Sequence, residues 1–96
     1  MKINPKETLK NYDGTVIEDG EKPVELKVIL INALAYEDAE MKSTAEEKMR
    51  AYELSLLLMN KETVDLKSED IVFIKLRLAK LYPVLIYGQT IKLLEQ

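Results

Sequence analysis

Leu26-Lys27-Val28-Ile29-Leu30-Ile31-Asn32-Ala33-Leu34-Ala35-Tyr36 is the stretch on which the fold turns. Leu26, Ile29, Leu30, Ala33 and Leu34 recur at spacings of three and four, which puts them on one face of a helix. Val28, Ile31 and Ala35 fall on the opposite face, and only Lys27 and Asn32 are polar inside the run. A helix that is oily on one face packs on a core, but one that is oily all round needs a second surface to cover it. Leu54–Met59 and Ile71–Tyr87 have the same excess. A chain of 96 residues holds one modest core and has few second surfaces of its own.

The expectation is therefore contact with another chain. Its candidate residues are Val28 and Ile31 on helix one, Leu54, Leu57 and Leu58 on helix two, and Phe73 and Leu76 on helix three. Helix two opens at Ser43-Thr44, where Thr44 and Glu47 have capping-box spacing. Ala45, Met49, Tyr52, Leu56 and Met59 form its regular stripe and are assigned to the core, which sends Leu54, Leu57 and Leu58 to the far side. Helix three begins after Ser68, with Ile71, Ile74, Leu78, Leu81 and Tyr82 as its main face and Val72, Leu76 and Ala79 as a second. Phe73 lies between Arg77 and Lys80 on the expected solvent side. Pro83 is suited to the first position of a fourth helix, and the alternative is a kink in one long helix. The apolar positions of helix four are Val84, Ile86, Tyr87, Ile91, Leu93 and Leu94.

Upstream, the chain is dominated by turns. Asp13-Gly14 is a pair that two-residue hairpin turns favour, because both positions tolerate positive φ. Asp19-Gly20 and Pro23 mark a second turn leading into helix one. Val64-Asp65-Leu66 can form a short extended piece. The predicted class is mainly α (α+β): one domain over residues 1–96, with a hairpin and turns over 1–24 packed on three to four helices over 25–96.

Composition narrows function mostly by exclusion. Net charge is −3, and no third of the chain is basic enough for a phosphate-binding surface. The absence of cysteine rules out disulfides and thiolate metal sites and makes a reducing cytoplasm the default compartment. Without histidine, the commonest general base and zinc ligand are missing. No signal peptide is expected, and the longest uncharged run, Leu81–Ile91, is too short to span a bilayer.

Individual side chains add little chemistry. Glu37, Asp38 and Glu40 lack the order of a calcium loop and read as a polar connector. Glu46, Glu47, Glu69 and Asp70 suit the first turns of helices. Arg77 and Lys80 around Phe73 could offer a stacking platform for a base, but a solvated edge suits the acidic total better. A helix-turn-helix reader is disfavoured because Glu69 and Asp70 would meet the groove first. Gly88 could admit a neighbouring helix, within the chain or across an interface. No Ser, Lys or Tyr has a visible partner base, so catalysis is not expected and no metal or cofactor is implied.

Tyr12-Asp13-Gly14, Asp19-Gly20-Glu21-Lys22-Pro23, Leu30-Ile31-Asn32-Ala33-Leu34, Tyr52-Glu53-Leu54, Asp70-Ile71, Ile74-Lys75 and Tyr87-Gly88-Gln89 follow one another along the chain. In this order they resemble a group of small uncharacterised proteins encoded by tailed bacteriophages and prophages. That group often opens its first helix with Ser or Thr, where this chain has Glu25. The resemblance implies a short accessory protein in a bacterial or phage cytoplasmic setting, with no activity or binding residue to carry over. The functional expectation is a non-enzymatic interaction module that self-associates or binds a larger protein, with neither nucleic acid nor membrane as partner. The rival reading is a phage regulator or inhibitor that touches nucleic acid or mimics it with Glu37, Asp38, Glu40, Glu46 and Glu47.

Overall fold

In a computed structural model that describes residues 2–95, the elements run β1 (Lys2–Ile3), β2 (Glu18–Asp19), β3 (Lys22–Pro23), α1 (Leu26–Ala35), α2 (Ala45–Asn60), β4 (Val64–Asp65), α3 (Ser68–Leu81) and α4 (Val84–Leu94). The class is α+β, as the sequence predicts: four helices with short antiparallel strand pairs.

The turn-rich segment makes two consecutive hairpins. The second is β2–β3, with Glu18 opposite Pro23 and Asp19 opposite Lys22 around the two-residue loop Gly20-Glu21. Gly20 has φ +68°, the sign that a II′ turn requires at its first loop position and that only glycine adopts freely. The first is a bridge between Lys10 and Val16 around Asp13-Gly14, where Gly14 has φ +89°. Asp13 fixes this loop by accepting from the Thr15 N–H at 3.0 Å and the Thr15 hydroxyl at 2.7 Å. The second turn is thus a hairpin in its own right and not merely a lead into α1. The expected extended piece at Val64 is β4, paired with β1 so that Ile3 faces Val64.

α1 packs against both α2 and α3, and α3 against α4. Leu26, Ile29, Leu30, Ala33 and Leu34 are the buried face of α1, the same five residues that its periodicity selects. They join Leu54 and Leu58 of α2, Ile74 and Leu78 of α3, Leu94 of α4, and Ile3, Leu9, Val64 and Leu66 from the strands and connectors. α2 carries the predicted capping box: Glu47 N–H donates to Thr44 Oγ1 at 3.1 Å, and Thr44 N–H donates to Glu47 Oε1 at 2.9 Å. Pro83 is the N-cap residue of α4, one position earlier than expected, so α3 and α4 are separate helices.

Val84, assigned to the apolar stripe of α4, is 80% exposed and belongs to no core. Gly88 admits no close neighbour: a Cβ built there would meet nothing within 4 Å. Its missing side chain therefore costs helix stability without easing any contact within the chain. Gly88→Ala should stabilise the fold by about 0.5–1 kcal/mol. Urea denaturation of the two proteins reads this directly; a loss of stability would show that the helix is strained at this point.

Candidate interaction surface

α2 has two apolar faces, and the chain buries the one that its sequence assigns outward. Ala51, Leu54 and Leu58 point inward, with Leu54 and Leu58 each only 1% exposed. Met49, Tyr52, Leu56 and Met59 are 46–59% exposed, and Ala45 is exposed beside them. Side-chain chemistry favours this choice. Leucine has no atom that gains from water, whereas a tyrosine hydroxyl stays hydrated while its ring lies flat on a surface. Arg50 reinforces it. Its Nε and Nη2 donate to the two carboxylate oxygens of Asp70 at 3.0 and 2.8 Å, tying the inner edge of α2 to the start of α3. Turning α2 to bury the stripe would draw Arg50 off Asp70 and lift Leu54 and Leu58 into solvent.

Of the seven residues proposed for contact, Leu54 and Leu58 are therefore core and must be withdrawn. Ile31, Leu57 and Phe73 are half-buried against the core. Val28 is 45% and Leu76 55% exposed. The structure does not gather the seven into one patch. Leu54, Phe73 and Leu76 line a groove of 440 Å3 between α2 and α3, over a floor that includes Leu34 and Ala51. Glu47, Glu69 and Asp70 line it together with Arg50, Lys67 and Arg77, so its formal charge is balanced.

The two arginines of this groove are committed to the fold. Arg77, expected at a solvated edge, is 5% exposed. Its guanidinium lies over the Phe73 ring, 3.6 Å from the centroid. Nε donates to the Tyr36 carbonyl at 3.1 Å, a group left over at the end of α1. One terminal nitrogen donates to Ser43 Oγ at 2.9 Å and the other to the Phe73 carbonyl at 3.5 Å. The supposed stacking platform is an internal cation–π pair, with the ring already occupied. Lys80 reaches the other way, to Glu40 at 2.6 Å and Asp38 at 3.8 Å. Lys48 lies 4.0 Å from Glu37. The connector acids are thus interleaved with lysines, and Glu47 is engaged in its cap. Among the described residues no group of three or more acids could hold a metal ion, and no helix is long and apolar enough to cross a membrane.

Four aspartates, Asp13, Asp38, Asp65 and Asp70, lie below the usual carboxylate range. Burial pushes Asp70 upward, but the Arg50 fork and the Lys67 N–H at 3.0 Å together outweigh it. Asp38 is lowered by the Tyr36 hydroxyl, which donates at 2.9 Å, and by the Met41 N–H. Asp13 is lowered by the Thr15 hydroxyl and then by the Thr15 N–H. A carboxyl depressed in the folded state adds stability that is complete above its unfolded pKa, about 3.9, and is lost as the pH falls through the folded value. Stability should accordingly hold level from about pH 7 to about pH 5 and fall below about pH 4. Urea midpoints across this range test the sign; a flat profile down to about pH 3 would mean that these contacts do not persist in solution.

What the sequence missed was which α2 stripe faces water. Equal periodicity on both faces hid it, and the one available signal was the chemistry of Tyr52, Met49 and Met59 set against that of three leucines. The outward face is an apolar strip one helix wide, framed by Lys48, Glu53 and Ser55. Comparison of the chain with protein-family models, curated proteins and solved structures finds no match to any of them.

Proposed function

We propose that this is a non-enzymatic interaction protein that works by self-association through the outward face of α2. The observation that carries the reading is the stripe Met49, Tyr52, Leu56 and Met59, all large, all apolar and all 46–59% exposed on one face of a capped helix. Single exposed apolar residues are ordinary on a monomer, whereas a continuous strip of them marks a contact surface. Tyrosine and methionine are also enriched in such surfaces. A second copy is the natural occupant, since closed symmetric dimers are the commonest assemblies. The motif resemblance to small phage and prophage proteins supports an accessory role in that setting.

Sedimentation of the pure protein from about micromolar to about millimolar concentration tests this. The expected result is a reversible rise in mass across that range. Leu56→Asp, at an exposed position in mid-stripe, should weaken association at least about tenfold while the helical circular dichroism is unchanged. A wild-type protein that stays monomeric throughout would overturn the proposal.

A further inference from the structure

We infer that the two copies pair with their α2 helices parallel, a conclusion that rests on the self-association just proposed. Ala45, Met49, Tyr52, Leu56 and Met59 are spaced four, three, four and three residues apart, the alternation of a two-helix seam. The charges beside that seam choose its direction. Lys48 stands just before Met49, and Glu53 just after Tyr52. In a parallel pair each Lys48 faces Glu53 of the second copy, and two-fold symmetry makes the contact twice. In an antiparallel pair the two Glu53 side chains meet each other at the centre of the seam. Glu62, which that arrangement would set against Lys48, lies past the end of α2 at Asn60. Lys48 is open to this role, with a side chain 61% exposed and Glu37 no nearer than 4.0 Å.

The fold also removes the usual obstacle to so short a seam. An isolated helix of this length is marginal in water. Here the Thr44–Glu47 capping box closes one end, and Leu54 and Leu58 anchor the inner face. Two copies therefore meet with α2 already formed and little ordering left to do. The strip is narrow, at the low end of the sizes of specific interfaces, so a reversible dimer of modest affinity is expected.

The chain has no cysteine, so an introduced thiol reports only on its own position. Tyr52→Cys and Leu56→Cys, each alone under mild oxidation, should give a covalent dimer. Lys48→Glu and Glu53→Lys should each weaken the dimer about fivefold at low ionic strength, and the double exchange should restore it. Cross-linking seen only when the two cysteine variants are mixed would overturn the parallel arrangement and leave self-association standing. A monomeric wild-type protein, or a dimer indifferent to Leu56→Asp, would overturn both.

Discussion

Arg77→Ala should destabilise the protein by about 3–4 kcal/mol, the scale of a buried hydrogen-bond network lost together with the packing around it. The guanidinium does three things at once. It satisfies the Tyr36 carbonyl, holds Ser43 in the connector that leads to α2, and fills the space over the Phe73 ring. Truncation leaves the carbonyl without its donor, opens a cavity and uncovers one face of the ring. In a domain of this size the melting temperature should fall on the order of 15–20 °C. Arg77→Lys should recover less than half of the loss. One ammonium cannot span acceptors on α1, on α3 and in the connector, and it stacks poorly on an aromatic face. Thermal unfolding followed by circular dichroism separates these outcomes. A loss of under about 1 kcal/mol for Arg77→Ala would mean that water replaces the guanidinium at little cost.

The second large effect distinguishes the two faces of α2. Leu58→Ala should cost about 3 kcal/mol, the usual result for a leucine removed from a close-packed core. Leu56→Ala, two positions away, should leave the monomer within about 0.5 kcal/mol of wild type. Denaturant titrations at low protein concentration keep association from contributing to either value. A reversal of the two would place the stripe inside and the leucines outside. It would also remove the basis for the proposed pairing, because no continuous apolar strip would then be left on α2.

Local rules made much of this fold readable. The five inward residues of α1, the Thr44–Glu47 box, the helix break at Pro83 and the short extended piece at Val64 each follow from a few neighbouring residues. Where the reading failed, the deciding partner lay far along the chain. Arg77 looks solvated in sequence because nothing nearby announces the carbonyl of Tyr36, 41 residues earlier. The inward face of α2 is settled partly by Asp70, 20 residues beyond Arg50. Periodicity finds faces, but it cannot rank two faces of similar oiliness on one helix. The apolar excess was visible from the start; its place on the surface was not.

Gln89 closes a gap that the hairpins leave open. Lys10 turns its N–H and carbonyl away from Val16, and both go to the Gln89 side chain: the N–H donates to Oε1 at 2.8 Å, and Nε2 donates to the carbonyl at 2.8 Å. One amide thereby imitates a single residue of a neighbouring strand. With that rim plugged, stray extended peptides find no template for sheet growth at this point.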